Sequence, residues 1–256
     1  MTTGKYAEVN GIKMYYEIHG EGNPLILIHG GGSTIETNWS VELPLFAKQY
    51  KVIAVELQNH GHSGSRNIPE TFEQDADDVA ALLQQLNIPK AFIVGFSNGG
   101  NTTMQIAILH PEVVDKLVIA SAFYQRDGMV PGFFDMMQHA TLESMPQQLK
   151  DAFLKINPDN AALQNMHDKD ASRMRAFKDW TDAALQSIKA PALIISADKD
   201  VVLPEHAVKM SKLIPNADLV ILPGVHGAYL GEICTAVPGS KLPELTATLV
   251  EEFLRK

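Results

Sequence analysis

The stretch Gly95-Phe96-Ser97-Asn98-Gly99-Gly100 constrains this chain more than any other. It lies between an apolar run, Ala91 to Val94, and a segment of helical character, Asn98 to His110. A strand that must become a helix within a few residues forces its turn residue into a strained backbone, and small flanking residues let the two elements pass. Ser97 then stands exposed at the carboxyl edge of a sheet, with a helix amino terminus directed at it. The G-x-S-x-G spacing alone is weak, since a chain of this size carries it by chance about once in fifteen. The strand, turn and helix around it give it force.

The flanking sequence supplies the sheet. Pro24 to Ile28 and Lys51 to Leu57 are short apolar runs of the kind covered on both faces. The first ends in His29-Gly30-Gly31-Gly32, where backbone N–H groups can face a ligand with no Cβ in the way. Tyr6 to Val9 and Ile12 to Ile18 flank Asn10-Gly11, which predicts a hairpin. Helices are predicted around Glu42 to Gln49 and over Thr71 to Leu86. The acidic residues Glu73, Asp75, Asp77 and Asp78 read as a solvated helix end, where the dipole favours them. Lys116 to Phe123, Ala192 to Ala197 and Asp218 to Leu222 predict further strands, and Pro204 to Leu213 and Leu242 to Arg255 further helices. Such alternation predicts a parallel sheet with helices on both faces.

Residues 123 to 187 break the alternation. Six of the ten methionines (129, 136, 137, 145, 166, 174) and five of the ten phenylalanines fall there, with no strand-like run. Singly, each fits the small core of an inserted helical unit; together they predict an adaptable apolar pocket over the catalytic edge. The expected organisation is one core domain, residues 1–122 and 188–256, with a helical insertion at 123–187. The net charge of -9 argues against nucleic-acid and anionic-membrane partners, which reward clustered Lys and Arg. A single cysteine, Cys234, excludes an internal disulfide and fits a reducing compartment. With no apolar leader and no apolar run approaching eighteen residues, the expectation is a soluble, cytoplasmic protein.

A serine hydroxyl is a poor nucleophile near neutral pH, so Ser97 needs a base, and the base an acid to fix its tautomer. Two later strands end in suitable residues: one is followed by Asp198-Lys199-Asp200, the other by Pro223-Gly224-Val225-His226-Gly227. Either aspartate satisfies the order Ser, Asp, His. The tetrahedral intermediate of acyl transfer carries an oxyanion, for which the backbone N–H groups of Gly31 and Asn98 are the candidate donors. His60 and His62 form an H-x-H pair, but no third ligand has suggestive spacing, so no metal is expected. His29 is read as support for the glycine loop; His19, His110, His139, His167 and His206 carry no signal.

Over essentially its whole length the sequence resembles the α/β-hydrolase fold superfamily, in particular its lipase- and esterase-like members with a helical cap. His29-Gly30-Gly31, Gly95 to Gly99, Asp200-Val201-Val202-Leu203-Pro204 and Gly224-Val225-His226 carry the likeness. Three departures stand out. Glu56 to Ser63 replaces the usual D-x-x-G-x-G-x-S turn, with Asn59 able to take the left-handed position of a glycine. Ala197 replaces the Gly of G-x-x-D, and Glu232 to Pro243 is longer than usual, so that it is expected to reshape a pocket wall. The resemblance implies a mostly parallel eight-stranded sheet with helices on both faces and a small helical cap. It further implies a catalytic Ser97, Asp200 and His226, with Asp198 the alternative acid, and no cofactor. The implied substrate is a small or medium apolar carboxylic ester, cleaved through an acyl-enzyme. Thioester, lactone, amide or carbon–carbon bond hydrolysis and perhydrolysis use the same residues, and a ligand-binding receptor is the non-enzymatic alternative. Serine at the elbow counts against the relatives that use aspartate there, and oligomeric state is not legible.

Overall fold

The computed structural model describes residues 4–256. Eight strands, β1 (Lys5–Val9), β2 (Ile12–His19), β3 (Asn23–Ile28), β4 (Tyr50–Val55), β5 (Ala91–Phe96), β6 (Val114–Ala120), β7 (Ala192–Lys199) and β8 (Ala217–Val225), form one sheet. Their spatial order is β1-β2-β4-β3-β5-β6-β7-β8. The β1–β2 and β2–β4 pairs are antiparallel and all others parallel, as expected. Asn10 and Gly11 have φ of 43° and 87°, the two positive values that a tight hairpin turn needs.

Among the described residues ten α-helices accompany the sheet: α1 (Ile35–Trp39), α2 (Glu42–Phe46), α3 (Phe72–Gln85), α4 (Asn98–Leu109), α5 (Phe133–Gln138), α6 (Gln147–Ile156), α7 (Asn160–Ala176), α8 (Asp182–Gln186), α9 (Pro204–Leu213) and α10 (Leu242–Arg255). Successive strand residues serve opposite cores, because their side chains alternate. Ile26, Ile28 and Ile93 pack with α3, α4 and α9 residues such as Val79, Met104 and Met210. Leu25, Leu27 and Val94 pack with Trp39, Phe46 and Val250 of α1, α2 and α10. The central strands β3 and β5, covered on both faces, accordingly hold almost nothing but apolar residues.

Several boundaries differ from the predicted ones. The helix expected over Glu42 to Gln49 stops at Phe46, and a separate helix, α1, precedes it. Strand β6 ends at Ala120 rather than Phe123, since Ser121 has φ +49° and leaves extended geometry. The acidic start of α3 is solvated only in part: Glu73 and Asp77 are exposed as expected, whereas Asp75 and Asp78 are buried, on Arg173 and Arg66 respectively. Between β6 and β7 lie α5 to α8. Phe72, Phe123, Met129, Met174, Phe177 and Val202 join these helices to the layer below, while Phe153, Leu163 and Met166 pack α6 against α7. Among the described residues no helix is long and apolar enough to cross a membrane.

Candidate active site

Ser97 sits between β5 and α4 with φ 54° and ψ −121°, a strained backbone for any residue but glycine. Close passage at this turn requires glycine on both sides. A Cβ at Gly95 would lie 2.1 Å from the Gly99 carbonyl oxygen, and one at Gly99 would lie 2.3 Å from that of Ile28. The serine N–H donates to Ala120 O at 2.8 Å, which fixes the turn to β6.

Two loops at the carboxyl ends of later strands reach Ser97. His226 Nε2 is 3.1 Å from Ser97 Oγ, and His226 Nδ1 is 2.6 Å from Asp200 Oδ1. Asp200 Oδ1 also accepts from Val202 N at 3.2 Å; Oδ2 accepts from Ala197 N at 3.3 Å and from the Ser121 hydroxyl. Burial opposes the Asp200 charge, but His226, Ser121 and Val202 together hold its carboxyl below the usual range. With Nδ1 facing a carboxylate, the ring carries its proton there and leaves Nε2 to accept from the serine hydroxyl, a tautomer assigned from the bonding pattern. Asp198 is exposed and accepts from Gly224 N at 2.7 Å, away from the imidazole. The chain thus brings Ser97, His226 and Asp200 into one hydrogen-bonded series.

The glycine loop is held from both sides. Gly30 N donates to Asn38 Oδ1 at 2.8 Å and Gly32 N to Asp170 Oδ2 at 2.7 Å. Among the described residues no partner meets the N–H of Gly31 or of Asn98. Gly31 and Asn98 both border the same cavity as Ser97, and Asn98 opens α4, where the dipole favours negative charge. Two unpaired donors therefore flank the serine.

Below the loop lies a buried charge series that local sequence patterns do not reveal. Asp170 pairs with Arg173 and, at 3.1 Å, with His60 Nε2; Arg173 reaches Asp75 at 2.6 Å. His60 Nδ1 is 2.9 Å from Gln58 O, and Nε2, which faces Asp170 Oδ2, also lies 3.1 Å from Gly32 N. Burial alone would lower the His60 pKa, but the Asp170 charge and hydrogen bond overcome it and raise it to about 9. His29 behaves oppositely. Its Nδ1 donates to Gly30 O at 2.7 Å and its Nε2 accepts from Leu57 N at 3.0 Å, so the ring is neutral, and burial beside His60 lowers its pKa to about 3. It braces the glycine loop as expected. His60 and His62 turn to different partners, Asp170 and Glu56. Asn59 has φ 65° and so fills the left-handed position foreseen for it.

A cavity of about 530 Å³ opens onto Ser97 and His226. All six methionines of the 123–187 segment line it, with Phe123, Phe133, Leu149 and Val202, and no lysine or arginine does. No residue of 232–243 borders the cavity, contrary to the expectation for that segment. It packs instead on α1, where Ile233 N donates to Thr37 O at 3.0 Å.

A family model described as "alpha/beta hydrolase fold" matches residues 23–180. The human "Serine hydrolase BPHL" is 30% identical over 247 residues, spanning 90% of this chain and 82% of that protein. A dihydrolipoyllysine-residue acetyltransferase component of the acetoin cleaving system from Pseudomonas putida is also 30% identical, over 85% of this chain; the chain spans 62% of its length. Among solved structures, a serine hydrolase involved in carbazole degradation (CarC) superposes with a TM-score of 0.81 at 24% identity, covering 100% of this chain and 99% of that one.

Proposed function

Because the chain belongs to the α/β hydrolase fold family, we propose that it is a serine hydrolase of small or medium apolar carboxylic esters. The observation that carries this reading is the 3.1 Å approach of His226 Nε2 to Ser97 Oγ at the mouth of a methionine-lined cavity. In the proposed reaction Ser97 Oγ attacks the acyl carbonyl as His226 Nε2 takes its proton, and the carbonyl π electrons move onto oxygen. The N–H groups of Gly31 and Asn98 hold that oxyanion. Its collapse breaks the bond to the alkoxy oxygen, which leaves as alcohol with the proton from His226. Water, deprotonated by His226, then attacks the acyl-enzyme; the second oxyanion collapses to release the carboxylic acid and return the proton to Ser97. Asp200 orients His226 and offsets its transient positive charge throughout.

Residues 123–187 are read as the cap that selects the acyl group. The basic side chains among the described lining residues are His139, His167 and His226, with no Lys or Arg, so a carboxylate meets no permanent countercharge, which favours neutral acyl chains over dicarboxylate or dienoate substrates. A panel of p-nitrophenyl esters, with thioester, lactone, amide and vinylogous diketone substrates beside it, tests the assignment. Turnover of neutral C2 to C8 esters, lost in Ser97→Ala, is expected. Activity confined to another substrate class would overturn the ester reading. Folded protein that neither turns over a substrate nor reacts with a fluorophosphonate probe would favour a binding protein.

A further inference from the structure

Asp170 stands on α7, within the inserted helices, yet its carboxylate touches the glycine loop of the core. Its Oδ2 accepts from Gly32 N at 2.7 Å and lies 3.1 Å from His60 Nε2, while Oδ1 is held by Arg173. Arg173 is anchored in turn on Asp75 of α3 at 2.6 Å. The carboxylate is thereby fixed from the core loop after β4, from α3 and from its own helix. At the neighbouring residue it comes so close that a Cβ on Gly31 would lie 3.0 Å from Asp170 Oδ2. Gly30, on the other side, is held by Asn38 of α1. Of three consecutive glycine N–H groups, the first and third are each tied by a side chain, and only that of Gly31 is left to a ligand.

We propose that Asp170 is a positioning residue for the oxyanion site: by tying Gly32 N–H it fixes the peptide planes around Gly31 and leaves the Gly31 N–H free for the reacting carbonyl oxygen. The inserted helices then contribute to the reaction itself as well as to the shape of the cavity. This rests on the ester-hydrolase reading given above, and it separates two roles for α7. A helix that only shapes the cavity matters for long acyl groups and spares an acetyl ester. A helix that aims the oxyanion donor matters equally for every acyl group, because the donor acts on the carbonyl.

The test uses p-nitrophenyl acetate and hydrogen exchange of the Gly32 amide by NMR, on the full chain. Outright removal of an oxyanion donor costs about 10²- to 10³-fold in kcat, so its misalignment in Asp170→Ala should lower kcat by about ten- to a hundredfold with KM changed less than about twofold. Asp170→Asn, which keeps a carbonyl oxygen for Gly32 N–H, should recover most of that loss. Leu163→Ala loosens the α6–α7 packing without touching the loop and should change the acetyl ester's kcat by no more than about twofold. In the wild type, Gly32 N–H should exchange more slowly than Gly31 N–H, and in Asp170→Ala that protection should fall severalfold, leaving His60 Nε2, 3.1 Å away, as the one remaining partner of the Gly32 N–H. If the alanine variant does not fold, the same comparison in His60→Ala, where Asp170 alone can hold the Gly32 N–H, decides the hydrogen bond. An acetyl-ester kcat in Asp170→Ala no lower than in Leu163→Ala, or a Gly32 amide that exchanges as fast as Gly31, would overturn the proposal. A wild type inert to every ester, with Gly32 still protected by Asp170, would instead overturn the ester reading.

Discussion

Ser121 donates a hydrogen bond to Asp200 from 79 positions away in the chain. It does so from a left-handed backbone, φ +49°, at the end of β6, and its Oγ is 2.6 Å from the Tyr229 hydroxyl. Tyr229, Ser121, Asp200, His226 and Ser97 thus form one continuous series of hydrogen bonds running from the core to the sheet edge. Strain kept at such a point is explained if the hydroxyl serves the carboxylate. Bonds to charged groups contribute roughly 1.5–3 kcal/mol. Ser121→Ala should therefore lower kcat for an apolar ester about tenfold with KM nearly unchanged, and Tyr229→Phe should have the same effect to a smaller degree. Steady-state kinetics on the two variants check this, and an Asp200 whose function survives Ser121→Ala undiminished would deny the serine its role.

The two candidate acids make opposite predictions. Asp200 is buried on His226, whereas Asp198 is exposed and holds only Gly224 N. Asp200→Asn should reduce kcat by about 10⁴-fold through loss of the productive tautomer. Asp198→Asn should stay within a few fold, and a more damaging Asp198 change would reassign the acid.

Gly31→Ala tests the open face of the loop. The added methyl would meet Asn98 Nδ2 at 2.5 Å and Asp170 Oδ2 at 3.0 Å. Since Gly31 φ is not in the left-handed region, backbone strain does not enter, and the cost falls on the site. Esterase kcat should drop by about tenfold or more, by the size of oxyanion-site effects, while the unfolding midpoint moves little. Unchanged kinetics would place the oxyanion elsewhere.

Stability should fall on the alkaline side. The pKa of His60 is raised from 6.5 to about 9 in the folded protein, so the folded state holds a proton that the unfolded chain releases earlier. Its contribution is complete below about pH 6.5 and is lost as pH rises through about 9, a change on the order of 1–3 kcal/mol. Asp170 and Glu70 are the charged neighbours that raise the pKa, and the neutral ring of His29 lies beside that of His60. Urea unfolding at intervals from pH 6.5 to 9.5 should show this decline, and His60→Gln should flatten it. Parallel curves for the two proteins would mean that the ring is neutral.

What the sequence revealed depended on how local the cause was. Helices α9 and α10 begin and end where predicted, because a proline marks each first turn and an apolar stripe runs to each end. Ser97 was legible because the glycines needed for the tight passage stand beside it, and Asn10-Gly11 announced its own hairpin. The methionine cavity was legible as composition, though no single methionine could be assigned to it. Asp75 and Asp78 were misread because an acidic first turn favours the helix dipole whether it is solvated or buried. Their partners Arg173 and Arg66 lie outside α3, 98 and 12 positions away. Asp170 was invisible for the same reason: its contact with Gly32 spans 138 residues, and an aspartate on a polar helix that also carries Asp168 shows no pattern.

In the proposed reaction Ser97 takes the acyl group with His226 as its base. Intact-protein and peptide mass spectrometry after rapid mixing with p-nitrophenyl acetate reads that step directly. One acyl group on the peptide holding Ser97, formed much more slowly in His226→Ala and absent in Ser97→Ala, is the predicted result. An acyl group on another residue, or ester turnover that persists at the wild-type rate in Ser97→Ala, would contradict it.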